Sequence, residues 1–323
     1  MAVAEPQPDG EEGSAGEAFV QPRLWLRDFA WKDGGLYIRK TGIRLGISWP
    51  VIAEIMSWAV WLAILKVATW RARKDRPRLK LGFLPDKPRA WYLLGGASIW
   101  AGFEMVEVGD ADTAFYFDDS TSGAAPQVTA PRRFNFACTD ISKSYVARVF
   151  EEVFGYPLTV DPTRVTGDII EKPEKNGVHG GRIVLAPHIP REGYTYQRVV
   201  ETEDADGCCR DLRTPTCGGE PVVVWIKTKT PEGRFSINNR RAVLADPAEV
   251  YSPDELKRIK VFCGRMGLDW GGLDILRDRN DGRIYIVDVN KTDLGPVIAL
   301  SWRDKVVSMA RLAGALRKLV EGA

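Results

Sequence analysis

The chain has 323 residues, of which 45% are hydrophobic and 27% charged, with a net charge of +2. At about 100–200 residues per domain this suggests two domains, with apolar content enough for a sizeable core. Wholly disordered, collagen-like and disulfide-stapled chains are excluded, and the charge gives no reason to expect nucleic acid. The total hides a split: residues 1–20 carry five acids and no base, whereas residues 21–89 carry fifteen Lys/Arg against five Asp/Glu. The remainder is close to balanced.

Residues 1–20 read as a disordered tail, without the basic segment of a secretory signal. Residues 21–76 form a basic, Trp-rich arm. Its apolar stretch, 47–70, holds Trp49, Trp58, Trp61 and Trp70, and Glu54 is its one charge before Lys66. The stretch predicts a helix capped by Ser48, with Pro50 tolerated in the first turn. A span needs about 20 predominantly apolar residues, and basic residues flank both ends, so no orientation follows. The helix is expected to pack against the body or a partner, with membrane-surface contact through residues 47–76 and a membrane span as the alternatives. The oligomeric state is open. The five cysteines form no C-x-x-C pair, and His179 and His188 lie far from them, which argues against structural zinc and for reduced thiols in the cytoplasm.

Residues 77–130 read as a small α/β unit and linker. Strands are expected at Leu79–Leu84, Glu104–Val108 and Thr113–Phe117, with a helix over 88–103 opening at Pro88. The second unit, 131–323, begins with a helix capped by Asp140, with Ile141, Tyr145, Val149 and Val153 on one face, ending at Gly155. Strands follow at 167–172, 182–186, 195–200 and 221–228. Ser252 and Glu255 form a capping box before Pro253 for a helix over 253–266. Strands at Leu273–Leu276 and Ile284–Val289 flank the turn Arg279–Gly282, and an amphipathic helix covers 303–320.

Chemistry-bearing residues gather in two places. In the hairpin, Asp288 and Asn290 are two apart and share a face, and the turn brings Asp274 roughly opposite. Three oxygen-bearing side chains then suit a hard cation such as Mg²⁺; the plainer reading is a strand end and a turn cap. In GDIIEKPEKNGVHGG, Lys172 precedes a loop with Gly177, Gly180 and Gly181, a composition that suits an anion, although no P-loop spacing follows. Taken singly, Lys143 reads as a solvated lysine, Arg213 as a partner of Asp211 or Glu220, His179 as an exposed loop histidine, and Lys227 and Lys229 as an outward strand face.

Lys143, Lys172 before NGVHGG, YQRVVE at 196–201, Asp274, and Asp288 with Asn290 occur in an order that resembles the ATP-grasp superfamily over about residues 132–320. The resemblance implies an α/β (α+β) ATP-grasp fold preceded by a short α/β domain and the hydrophobic helical arm. It implies ATP and one or two Mg²⁺ ions. Lys143 and Lys172 would hold phosphates, and Gly177, His179, Gly180 and Gly181 would fold over them. Gln197, Arg198 and Val199 would meet adenine, and Glu201 or Glu203 the ribose. Asp274, Asp288 and Asn290 would hold the metal, and Arg213, Arg240 and Arg241 would stand near the transferred phosphoryl group. The implied reaction joins a carboxylate to an amine through an acyl phosphate. A small-molecule kinase and a non-catalytic nucleotide-binding protein are the alternatives. Departures are Asp288 where many ligases carry Glu, Gly272 where some carry an Arg, NKTDLGP at the end of the motif, and the unmatched stretch 202–210.

Overall fold

The computed structural model describes residues 28–32, 34–39, 44–46, 48–74, 78–178, 180–230 and 240–322. The tail over 1–20 and His179 lie outside them. The described residues form two compact units divided after Ala68.

The first unit holds a three-stranded antiparallel sheet, β1 (Phe29–Lys32), β2 (Gly35–Ile38) and β3 (Arg44–Gly46), in that order. Helix α1 (Trp49–Lys74) begins in this unit. It confirms the helix expected over 47–70 and extends it by four residues. Trp61 and Leu65 are buried, whereas Trp49, Met56 and Trp70 are exposed. No helix among the described residues is long and apolar enough to cross a membrane.

In the second unit a parallel sheet comes first, ordered β5-β4-β6-β7: β4 (Lys80–Pro85), β5 (Glu104–Met105), β6 (Thr113–Phe117) and β7 (Arg132–Phe134). Helix α2 spans only Leu93–Trp100, so the helix expected over 88–103 is shorter at both ends. Tyr92 is held extended by a bridge to Leu294, which delays the first helical turn. Gly102, at a φ of 77°, lies beyond the last turn.

Helix α3 (Lys143–Phe154) follows. Its cap position is Ser142 and not Asp140; Asp140 instead accepts a bond from Ser142 N at 2.8 Å. Its buried face is centred on Val146, Val149 and Phe150. An antiparallel sheet comes next, ordered β10-β8-β9, from β8 (Gly167–Pro173), β9 (Arg182–Ala186) and β10 (Tyr194–Arg198). The largest sheet is also antiparallel, ordered β14-β13-β11-β15-β16: β11 (Cys209–Cys217), β12 (Glu220–Pro221, paired with β11), β13 (Val224–Lys229), β14 (Arg241–Ala245), β15 (Trp270–Arg277) and β16 (Ile284–Asn290). Helices α4 (Pro247–Val250), α5 (Pro253–Met266) and α6 (Trp302–Glu321) complete the unit.

The core lies between one face of the large sheet and the helices α3 and α5. Phe150, Ile259, Phe262, Leu273, Ile275, Tyr285 and Ile286 are fully enclosed. Each such side chain contributes about 1.5–3 kcal/mol on burial, so this face fixes the register and leaves the other face free for polar residues. The capping box of Ser252 and Glu255 is present on α5, and Gly267 ends it at a φ of 67°. All five cysteines are buried, and none forms a disulfide.

Asn135 anchors the start of β15. It is fully buried at a φ of 64°, a left-handed conformation that Asn tolerates better than most residues. Its Oδ1 accepts from Asp269 N and Trp270 N, each at 2.9 Å, and its Nδ2 donates to Trp270 O at 2.7 Å. Asn135→Ala strands three backbone groups, at about 1–3 kcal/mol for each group left unsatisfied. Urea denaturation should show a loss of at least about 2 kcal/mol with an unchanged m-value.

Candidate functional site

The metal-like hairpin owes its alignment to a bulge. From Arg277↔Ile284 to Ile275↔Ile286 the pairing runs in regular register, which continued would set Asp274 opposite Val287. The register shifts between Asp274 and Ile275, and Asp274 faces Asp288 instead, with Gly272 facing Asn290. One extra residue on a strand re-aims the side chains beyond it. On the other side of β15, Arg213 of β11 is the partner of Asp274. Arg213, Asp274 and Asp288 therefore form one row across three strands.

The row is held by ion pairs. Arg213 Nη1 donates to Asp274 Oδ2 at 2.8 Å, and Lys227 Nζ to Asp274 Oδ1 at 3.2 Å. Arg213 Nη2 bonds Asp293 Oδ1. Lys143, from the first turn of α3, is 6% exposed; its ammonium bonds Asp288 Oδ1 and, at 2.9 Å, Asn176 Oδ1. Lys229 Nζ pairs with Asp211 at 2.7 Å. Burial alone would raise the Asp274 carboxyl, but Arg213 and then Lys227 hold it well below the usual carboxylate range. Burial raises the Asp293 carboxyl to about 7 against the pull of Arg213.

Lys172 on β8 is different. Among the described residues its ammonium has no hydrogen bond or ion pair, and burial pushes it down to about 8 despite the field of Asp288. The opposite face of β8 is firmly tied. Glu171, fully buried, accepts from Arg182 Nε at 2.8 Å, Arg191 Nη1 at 3.0 Å and Tyr196 OH at 2.8 Å, with His188 Nε2 at 3.3 Å. The start of the glycine-rich loop is tied as well: Glu174 accepts from Ser144 N at 3.0 Å, and Asn176 N donates to Thr121 at 2.8 Å. Gly177, at a φ of 75°, is where the loop needs glycine.

The remaining expected residues divide. Gln197 is 1% exposed on β10. Among the described residues its Nε2, like the hydroxyl of Thr202, is buried without a hydrogen-bond partner. The side chain of Arg198 is committed to Tyr285, donating to its hydroxyl at 2.8 Å, and its backbone N–H donates to Leu158 O at 3.0 Å. Val199, Glu201 and Glu203 follow β10 in irregular backbone, and Glu201 accepts from Glu203 N at 3.1 Å. Gly180 and Gly181 lie between β8 and β9. Asn290 Oδ1 accepts from Thr292 N at 2.8 Å, the turn-capping role. Arg240 is exposed, with Nη1 4.0 Å from Cys208 Sγ. Arg241 pairs in register with Thr228, one residue from Lys227, so it lies on the face away from the row.

Sequence reasoning missed Asp211, Lys227, Lys229, Asp293 and Lys291 as site residues. Lys227 and Lys229 face inward because β11 pairs Asp211 with Lys227. The alternation of Asp211 and Arg213 with Leu212 and Thr214 was the available signal for β11. Lys291, 1% exposed, lies 3.7 Å from Asp118 Oδ2 and 5.4 Å from the Tyr116 ring, joining the ends of β16 and β6.

The site suits the groups that the motif order implies. The free ammonium of Lys172, together with Lys143, Lys227 and Lys229, suits a polyphosphate. The partnerless Gln197 Nε2 and Thr202 Oγ1 suit a polar base or sugar. Two carboxylates and an amide oxygen in adjoining register suit Mg²⁺, although no three His, Cys, Asp or Glu side chains converge among the described residues.

The charge balance of Asp274 has a pH signature. Its folded pKa is depressed, so its stabilisation is complete above the unfolded value near 4 and is lost as pH falls through that window. The stability gap between the parent and Asp274→Asn, measured by urea denaturation, should narrow as pH falls below about 4.

No protein-family model and no curated protein matches the sequence. Solved structures similar to the chain include the ATP-grasp ligase PsnB with its minimal precursor (12% identity, 75% of this chain and 99% of that one, TM-score 0.46). A RimK domain ATP-grasp protein from Sphaerobacter thermophilus (16%, 75% and 100%, 0.47) and D-alanine–D-alanine ligase from Bacillus anthracis complexed with ATP (12%, 76% and 98%, 0.46) are similar to the same degree. The expected residues meet between the three-stranded sheet that carries Lys172 and the larger antiparallel sheet that carries Asp274 and Asp288.

Proposed function

We propose that the chain is an ATP- and Mg²⁺-dependent ligase that activates a carboxylate as an acyl phosphate and joins it to an amine. The observation that carries the reading is the row Arg213–Asp274–Asp288, with Lys143 at one end and the unpaired Lys172 beside it. Phosphoryl transfer asks a protein mainly for positioning and charge stabilisation, and the site consists of such groups. Mg²⁺, when bound, would neutralise triphosphate charge and polarise the transferred group; Asp274, Asp288 and Asn290 would hold it.

Lys143 and Lys172 would take the phosphates, with Lys227 and Lys229 on the adjoining strand. Gln197 and Thr202 would meet the base and sugar, and Glu201 or Glu203 the ribose hydroxyls. Arg213, fixed between two acids, presents a cation where negative charge spreads over the transferred phosphoryl group. With the acids of the row paired in the free protein, a nucleotide would enter by exchanging partners: phosphate for Asp288 on Lys143, and metal for Lys143 on Asp288. That exchange conserves the charge balance that burial demands.

The chemistry is tested by adding hydroxylamine to ATP, Mg²⁺ and pooled candidate acids. A hydroxamate is expected; a stable phosphoester without hydroxamate contradicts the ligase reading. Asp288→Ala and Asn290→Ala should each lower Mg²⁺-dependent ATP turnover on the order of 100-fold or more while the folded circular dichroism spectrum persists.

Lys172 gives a separate prediction. Phosphate pairs with its charged form, so metal-free ATP affinity should be highest below pH 8 and fall as pH rises through about 8, by up to about tenfold per pH unit. Lys172→Arg keeps its charge and should flatten that profile in calorimetric titrations. The same pH dependence in both proteins would remove Lys172 from the phosphate site.

A further inference from the structure

Arg213 is held by two acids, and only one of them belongs to the metal-like row. We propose that Asp293 is a positioning residue that fixes the plane of the Arg213 guanidinium, and that the missing side chain of Gly272 is what makes room for it. The proposal rests on reading the site as a centre of nucleotide-dependent phosphoryl transfer.

The geometry supports this at three points. First, the two acids grip different nitrogens: Asp274 takes Nη1 at 2.8 Å and Asp293 takes Nη2. A single anchor leaves a planar guanidinium free to turn about the bond, whereas two anchors on separate nitrogens fix its plane. Second, Asp293 is itself immobilised. Its side chain is fully enclosed, and its carbonyl accepts from Leu93 N at 2.8 Å, at the start of α2. Tyr92 bridges to Leu294, and Gly295 N donates to Trp91 O at 3.1 Å. The segment 91–93 thus clamps 293–295, and the small parallel domain sets where the guanidinium lies.

Third, the second oxygen of Asp293 lies directly over Gly272. A Cβ built on Gly272 falls 1.8 Å from Asp293 Oδ2 and 2.6 Å from its Cγ. No residue with a side chain fits there while Asp293 stays. That oxygen is also buried without a hydrogen-bond partner among the described residues, a costly state that the fold tolerates for the sake of the other oxygen's bond to Arg213. Covered by Gly272, Oδ2 is closed to an acceptor substrate, so the geometry favours positioning over acid–base work. The cation at the reacting centre is therefore delivered from β11, with its support occupying the space a side chain on β15 would need.

The test uses the full chain and a phosphoryl mimic. Aluminium fluoride with MgADP stands in for the phosphoryl group in flight, so the gain in MgADP affinity on adding it reports how well Arg213 is aimed. Asp293→Asn and Asp293→Ala should bind MgADP within about twofold of the parent, yet lose at least about tenfold of the aluminium fluoride gain. Gly272→Ala should lose the gain as well and lower the thermal midpoint. In Gly272→Ala/Asp293→Ala the clash is relieved, so the midpoint should fall no further than in Asp293→Ala alone while the gain stays lost. A full gain in either folded Asp293 variant, or its return in the double variant, would overturn the assignment. A parent that binds no MgADP would contradict the nucleotide reading itself, and the positioning role with it.

Discussion

Charges removed from water must be paired, and in this chain that constraint is met along a single line. Lys143, Asp288, Asp274 and Arg213 run from helix α3 across β16 and β15 to β11, a cation at each end of two facing carboxylates, and Asp293 closes the far end. Lys143, Arg213 and Asp293 are enclosed enough that removing a partner leaves an uncompensated charge, which costs about 3–5 kcal/mol in buried pairs, whereas Asp274 and Asp288 keep 26% and 30% of their side chains exposed. The apolar face of the same sheet sets the register, and the bulge near Val287 brings the two carboxylates level. Packing on one side of the strands thus fixes chemistry on the other.

The neighbouring elements attach to this line from two directions. The three-stranded sheet brings Lys172, and the cluster around Glu171 keeps β8 rigid where it carries that residue. The small parallel sheet reaches the site through chain segments that follow β16. Lys291 meets Asp118 and Tyr116 at the end of β6, and Asp293 is clamped by the start of α2. The stretch Lys291–Gly295 is therefore a joint between the two sheets as well as the continuation of the metal-like strand.

Much of this was legible in the residues. The capping box of α5, the hairpin around Asn280–Asp281 and the sharing of a face by Asp288 and Asn290 follow from short-range rules that burial does not override. Strand β11 was hidden by Pro215, which normally argues against a central strand; it is tolerated where the pairing with β13 ends and that with β12 begins. The helix expected from Pro88 failed because a long-range bridge, Tyr92 to Leu294, overrode a local signal. Lys227, Lys229 and Asp293 were invisible as site residues because their roles depend on which strands become neighbours. The bulge lies beyond any counting of residues through the turn.

The central claim is that the row of charges is a nucleotide and metal site waiting for its partners to be exchanged. A crystal structure with a non-hydrolysable ATP analogue and Mg²⁺ tests it most directly. The account predicts phosphates against Lys143 and Lys172, an ion against Asp274 and Asp288, and the Lys143–Asp288 bond replaced. Nucleotide bound elsewhere, with that bond intact and no ion between the two carboxylates, would contradict it.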